Sequence, residues 1–275
     1  MYSDIVIPNN NETQFLEMAK RLGFSSICFL YPLKDFKVLV EEPLDIKVYY
    51  GVIAGEKEVK KARQKADLVL VDNGVCSDFD GSKISTSTTK SNNRVSSSDE
   101  NIKDDGKVSN LGHKINYTSN MVSKSNKNDV NIRRCVEKER PDIILSIEND
   151  KRKDFIHQRN SGLDHIIAKI SARNNICFGF PLARIIEARD KPQVLGRLMQ
   201  NLRLVSKYDT GFVMGSFASN PYSMRAVNDI ISFFSVLGAD KKAIKNALQK
   251  IPCIVERNSK LRKGTLSEGV EIVED

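Results

Sequence analysis

Tryptophan is absent from this 275-residue chain and histidine occurs three times, as His113, His157 and His165. His113 falls in a low-complexity stretch, which leaves two imidazoles. Two are too few for the histidine-rich clusters of zinc or two-metal hydrolases. The five cysteines (Cys28, Cys76, Cys135, Cys177, Cys253) are scattered, and no CxxC pair occurs. An odd, dispersed set suits reduced thiols in a cytoplasm better than a disulfide framework or a zinc site. No apolar run reaches the ~20 residues that span a bilayer. The start, MYSDIVIPNNN, lacks the basic-then-apolar layout of a signal peptide. A cytoplasmic protein without membrane contact is the expectation. The phosphate-binding GxxxxGK[ST], the dinucleotide GxGxxG and the nucleophile GxSxG are all missing. Gly215-Ser216-Phe217-Ala218-Ser219 has the wrong spacing for a nucleophile turn and suits a polar turn or a small-residue phosphate cradle.

What the chain has is positive charge, and its location matters more than its size. The formal net charge is +8. From Lys151 to Lys207 there are twelve Lys or Arg against four Asp or Glu, so this one stretch carries the whole excess. A basic segment in an otherwise neutral chain points to a polyanion, nucleic acid first, or to an ordinary solvated basic face.

Short apolar strands alternate with helices along the chain. Strands are predicted at 4–8, 25–30, 46–53, 68–71, 143–147, 176–180 and 212–214, with an eighth at Cys253–Val255. The strands do not alternate apolar with polar, so both faces are buried, as in a parallel sheet. Seven or eight βα units over this length predict an α/β fold of the TIM-like (β/α) barrel class in a single domain, 1–275. Between Ser77 and Asn128 the pattern stops: twelve Ser and eight Asn occur in 52 residues. Such a composition cannot bury enough apolar surface to offset its ordering entropy, so a disordered insertion is expected there.

The stretch His157–Phe180, HQRNSGLDHIIAKISARNNICFGF, concentrates the signals. Ser161 followed three residues later by Asp164 has the form of a capping box. Leu163, Ile166, Ile167 and Ile170 fall at i, i+3, i+4 and i+7 and predict one apolar helical face. A basic turn at a helix N-terminus suits an anion such as phosphate, although on these features alone an ordinary capped surface helix is the preferred reading. Ser223 is the expected cap of a later helix whose inner face is Val227, Ile230, Ile231 and Phe234.

A barrel of this kind also invites comparison with the polymerase-and-histidinol-phosphatase family, whose metal site begins with DxHxH. Here Asp4 is followed by Val6 and Pro8, so both histidines are missing. Asp72 and Glu148 stand at strand ends, but nothing in the sequence marks them as catalytic; Asp4 and Asp72 suit the ordering of loops, and Arg225 suits either RNA contact or a bond to a strand-end carboxylate.

The run Arg159–Phe180 resembles the RxSGLxHxxAKxAxxNNxxIxF segment of archaeal ribonuclease P protein component 3, a family shared with a protein subunit of eukaryotic RNase P and RNase MRP. Arg203-Leu204 through Lys207-Tyr208, Ser216 and Ala218, Met224-Arg225, and Asp229 to Gly238 follow further signatures of that family. The resemblance implies a barrel related to the phosphatase one but without its metal site, and a non-catalytic role. The chain would be a subunit of RNase P, the ribonucleoprotein that removes the 5′ leader from precursor tRNA. It would bind RNase P RNA, whose Mg²⁺ does the chemistry, and hold no cofactor itself. Its partners would be the small RRM-like subunit of the processing-of-precursor type and other RNase P proteins, with precursor tRNA reached indirectly. The alternatives are a metal-dependent phosphoesterase and a general structured-RNA-binding module. On this reading the candidates for RNA or partner contact are Lys151, Arg152, His157, Arg159, Asn160, Ser161, Gly162, Arg184, Arg189, Arg197, Ser216 and Arg225. Six of these cations (Lys151, Arg152, Arg159, Arg184, Arg189, Arg197) neutralising ~6 phosphates give a log–log salt slope of roughly −4 to −5.

Overall fold

In the first strand, β1 (Ser3–Val6), every residue is buried, as in the strands Leu68–Asp72, Ile143–Leu145 and Cys177–Pro181; the strand Lys47–Ala54 has an exposed residue, Lys47, at its start. In the computed structural model the chain continues through α1 (Glu12–Arg21), β2 (Ser26–Pro32), β3 (Lys47–Ala54), α2 (Val59–Lys65) and β4 (Leu68–Asp72). After the insertion come α3 (Ile132–Arg134, continued by a π-helical turn to Glu139), β5 (Ile143–Leu145) and α4 (His165–Arg173). Then follow β6 (Cys177–Pro181), α5 (Leu182–Glu187), α6 (Lys191–Lys207), β7 (Phe212–Gly215), α7 (Val227–Val236), α8 (Lys241–Ala247) and α9 (Lys250–Arg262). The structure describes residues 2–36, 46–73, 131–149, 153–262, 265–267 and 270–271. The expected insertion, Lys151 and Arg152 lie outside them.

Seven parallel strands follow one another in the order β1 to β7. The chain after β7 then returns to β1: Phe217 N–H donates to the Ile5 carbonyl at 2.7 Å, Ile7 N–H to the Ala218 carbonyl at 2.9 Å, and Val6 pairs in parallel with Ala218. The sheet is therefore a nearly closed barrel, the TIM-like class. Side-chain alternation explains the missing polar face. Cys28 and Leu30, Leu68 and Leu70, and Ile143 and Leu145 point into the barrel. Ile27 and Phe29, Val69 and Val71, and Ile144 meet the surrounding helices. The interior is packed: a methyl on Gly179 would lie 2.2 Å from Leu145 Cδ2, so only glycine admits that leucine.

The eighth strand expected at Cys253–Val255 is not one. These residues lie within α9, and Ile251 and Ile254 join the interior cluster of the barrel. The helix crosses the end where strands begin. The Leu248 carbonyl just before it accepts from Ser3 N–H at 2.8 Å, and Arg257 donates to the buried Asp142 at 3.0 Å. A short apolar run that reads as a buried strand is here the apolar stripe of a helix plugging the barrel floor, an ambiguity inherent in runs this short. All described residues belong to one compact unit, formed by 1–76 and 129–275. Among them no helix is long and apolar enough to cross a membrane.

Candidate nucleic-acid interface

In a parallel barrel the loops that follow strands share one face. Four segments meet there: the seam at Asp4, the end of β4, the long β5–α4 connection, and the turns after β6 and β7. At the seam, Asp4 is wholly buried. Its Oδ1 accepts from Ser216 N–H at 2.7 Å and from Ile5 N–H at 2.8 Å. Burial pushes its carboxyl up to about 6, and the bonds from Ser216 and Ile5 partly offset this. The aspartate at the phosphatase-motif position is thus a clamp that closes the barrel. Ser216 serves that clamp: it is buried, and its Oγ accepts from Arg225 N–H at 3.1 Å.

At the centre of the mouth Arg184 grips Asp72 with both terminal nitrogens, Nη1 to Oδ1 at 2.9 Å and Nη2 to Oδ2 at 2.5 Å. Its Nη1 also donates to Ser146 Oγ at 3.1 Å. Glu148 lies beside this pair with no exposure. Burial first, and then the charge of Asp72, push its carboxyl up to about 7, while its own backbone N–H and Arg184 work the other way. The positive charge between these two carboxylates comes from Arg184. Among the described residues, no three His, Cys, Asp or Glu side chains gather closely enough to hold a metal ion. Together with Val6 and Pro8 at the motif positions, the donor set does not fit the phosphatase-type metal centre.

The β5–α4 connection stands over this mouth. Its base is built by Asp154, whose carboxylate accepts from Asn160 N–H at 2.8 Å and from Arg197 at 2.7 Å and 2.8 Å. Arg197 also donates to the Glu148 carbonyl at 3.3 Å. These bonds hold the Asp154 carboxyl below its ordinary range, although partial burial opposes them. Asn160 Nδ2 reaches back to the Lys153 carbonyl at 3.4 Å, and Phe155 N–H donates to the Gln158 carbonyl at 2.9 Å. Between these anchors Phe155, Ile156, His157 and Gln158 are exposed. An open cleft runs between the loop and Gln200 of α6. Arg159 lies along α6, where a methyl on Gly196 would sit 2.5 Å from its Nε.

The twelve candidates therefore divide. His157, Arg159 and Arg189 are exposed, and none makes an ion pair among the described residues. Asp154 and Asp164, the carboxylates nearest Arg159 in sequence, are engaged elsewhere, with Arg197 and as a helix cap. Arg197 departs from the expectation of a surface cation: at 1% exposure it is an internal anchor, turned to Asp154 and the Glu148 carbonyl instead of to solvent. Ser216 and Ser161 are buried; Ser161 Oγ donates to the Leu163 carbonyl at 3.5 Å, and its own carbonyl accepts from Asn201 at 3.1 Å. Gly162 turns the chain at φ +80°. Asn160 ties the loop base. Arg184 is turned to Asp72. Arg225 donates to the main-chain carbonyls of Met224 at 3.0 Å and Tyr222 at 3.4 Å, not to a strand-end carboxylate.

Two expected caps also move. Asp164, not Ser161, caps α4, accepting from Ile167 N–H at 2.7 Å. The buried side of α4 is Ile167, Ala168 and Ser171, with Ile166 exposed. Ala226, not Ser223, precedes α7, although Val227, Ile230 and Phe234 do face inward. Sequence reasoning did not single out Lys153, Lys191, Phe155 or Ile156. Lys153 and Lys191 are exposed cations of the basic stretch, and Phe155 and Ile156 are apolar residues with no helical or strand period to place them inside.

A family model described as RNase P subunit p30 matches residues 1–264. A ribonuclease P protein component 3 from Methanococcus maripaludis strain C6 is 30% identical over 146 residues, covering 52% of this chain and 60% of the relative. The protein of that name from Methanosarcina mazei is 28% identical over 144 residues, covering 52% of this chain and 57% of its own. The chain thus spans about 60% of the length of the curated relatives it matches. A chain in a cryo-EM structure of archaeal ribonuclease P with mature tRNA has the same fold, with a TM-score of 0.62 at 18% identity over 98% of each chain. A family model matched from residue 1 to 264 leads to one conclusion: this chain belongs to the RNase P subunit p30 family.

Proposed function

We propose that this chain is a protein subunit of ribonuclease P, the ribonucleoprotein that removes the 5′ leader from precursor tRNA, and that it binds the catalytic RNA without cleaving it. Family membership over residues 1–264 carries the reading. The site is in keeping with it. Strand-end carboxylates that would serve a hydrolase are buried against Arg184 or the barrel seam, while Lys153, Arg159, Arg189 and Lys191 are exposed on loops and a helix start after strands β5 and β6. Folded RNA crowds phosphates, whose repulsion opposes the active shape. Fixed cations replace diffuse counterions there and lower the Mg²⁺ needed for folding. The Mg²⁺ of the reaction belongs, on this reading, to the RNA. The small RRM-like subunit and other RNase P proteins complete the assembly, and precursor tRNA is reached through it, in the cytoplasm.

The test is cleavage of precursor tRNA by the cognate RNase P RNA and the small partner subunit at limiting Mg²⁺, with and without this chain. The expected result is faster cleavage with the chain and none when the RNA is omitted. Cleavage by the chain alone would restore the phosphoesterase reading. Equal affinity for unrelated structured RNAs, with no effect on cleavage, would leave only a general RNA-binding module.

A further inference from the structure

We propose that the loop 153–159 reads an unpaired base of the bound RNA, with Phe155 as the stacking platform and Ile156 beside it. The inference rests on the ribonuclease P reading and names what that face takes hold of. Phe155 is 63% exposed and Ile156 95% exposed, adjacent at the tip of a loop whose base is fixed. A loop with no need to present them would fold such side chains back, because exposed apolar surface is unfavourable and clusters of it mark binding sites. Here they are held out. Arg197 grips Asp154 from inside the protein, Asn160 ties both Asp154 and Lys153, and Phe155 N–H bonds the Gln158 carbonyl across the tip. A tip fixed before binding loses little entropy when it is covered.

Charge selects the occupant. The one carboxylate of the loop, Asp154, is paired with Arg197, so the charge left around the tip is positive: Lys153 and Arg159, with His157 between them. A protein partner with an apolar socket would be served by Phe155 and Ile156 without this halo, and a phosphate would be served by the cations without the aromatic ring. The combination of an aromatic face, an aliphatic neighbour and flanking cations matches a base and its backbone. Unpaired nucleotides are the elements of folded RNA that offer a free base face. The cleft between the loop and α6 places Gln200, His157 and Arg159 along its walls, donors suited to a base edge or the phosphate next to it.

The absence of tryptophan makes the test direct. In Phe155→Trp the only indole stands at the tip, in water in the free protein. Addition of the cognate RNase P RNA is expected to quench its emission, as stacking on a base does. Phe155→Ala is expected to weaken RNA binding about tenfold, the scale of one stacked base. Its log–log salt slope should stay as in the unaltered chain, because no charge is lost, and Phe155→Tyr should restore affinity. Two results overturn the proposal: emission unchanged at saturating RNA, or emission brightened and blue-shifted by the small partner subunit alone, which would mean a protein socket. In both, salt-dependent RNA binding by the unaltered chain leaves the ribonuclease P reading standing. Loss of that binding would remove the reading and the base contact together.

Discussion

Glu148 puts a carboxyl where water does not reach and where neither oxygen forms a good hydrogen bond among the described residues. Burial raises it from an ordinary 4.5 to about 7. Below pH 4.5 folded and unfolded chains both hold the proton. Between 4.5 and 7 the folded chain keeps a proton that the unfolded chain has released, so stability falls as pH rises, and the loss is complete above 7. Asp4, raised to about 6, acts in the same sense over a lower window. Glutamine mimics the protonated acid, so Glu148→Gln is expected to be more stable than the unaltered chain at pH 8, by up to on the order of 3 kcal/mol, and to unfold at a higher temperature. The gap should close towards pH 5. A gap of equal size at both pH values would show that ionisation of Glu148 is not what weakens the fold. Gly196 raises the other question of this scale. Alanine there suits a helix interior better by up to about 1 kcal/mol. Its methyl takes the place of the Arg159 guanidinium, which is the movable end of a flexible side chain. Gly196→Ala is therefore expected to resist denaturant better while binding RNA more weakly. Tighter RNA binding would show that Arg159 does not need the helix groove.

Among elements, α4 shows how far a sequence can be read and where it stops. The helix, its following strand and the basic turn before it are all visible in apolar spacing and composition. The cap is not, because Ser161 and Asp164 both fit the rule for a helix start, and the choice depends on where tertiary packing takes each one. Leu163, two residues beyond Ser161, is buried, and Asn201 of α6 takes the Ser161 carbonyl, which draws the serine inside and leaves Asp164 to cap. Asp164→Ala is expected to lower stability by about 1 kcal/mol in a denaturant titration, the usual worth of a cap. Ser161→Ala, which leaves the cap in place and loses one long hydrogen bond, should cost clearly less. The reverse order would return the cap to Ser161. The same limit hides the barrel floor. Cys253, Ile254 and Val255 carry the composition of a strand, and only the contacts of Ile251 and Ile254 with the barrel interior show the helix. Phe155 and Ile156 illustrate the opposite failure. Apolar residues are read as core by default, and exposure at a loop tip leaves no trace in periodicity.

For the molecule as a whole, the basic stretch between Lys151 and Lys207 was legible as a feature, but not its division into scaffold and surface. Two of the six cations expected to meet phosphate hold the protein together: Arg197 anchors Asp154 and Arg184 neutralises Asp72. A buried or bidentate arginine is indistinguishable from a surface one in sequence, because its partner lies tens of residues away. Asp72 and Arg184 are 112 positions apart. In the loops after β5 and β6 and at the start of α6 the exposed cations among the described residues are Lys153, Arg159, Arg189 and Lys191, with Glu187 and the helix cap Asp190 as neighbouring carboxylates; Lys169, Arg173, Arg203 and Lys207 of the same stretch are exposed along α4 and α6. With Arg184 and Arg197 withdrawn, four of the six cations remain for phosphate, and the expected log–log salt slope falls to roughly −3 to −4. The two classes of arginine then separate in one experiment. Arg159→Ala is expected to make the slope shallower by about 1 at nearly unchanged stability, since it removes one counterion-releasing contact. Arg197→Ala removes no such contact. It leaves the Asp154 carboxylate without its buried partner and is expected to cost about 2–3 kcal/mol of stability, less than a fully buried pair because Asp154 is partly exposed. At temperatures where it stays folded, its salt slope should match that of the unaltered chain, and any loss of RNA affinity should come from a loosened 153–160 loop. If Arg197→Ala instead flattened the slope as Arg159→Ala does, Arg197 would have to swing out to the RNA on binding, and the loop would be a moving part instead of a fixed one.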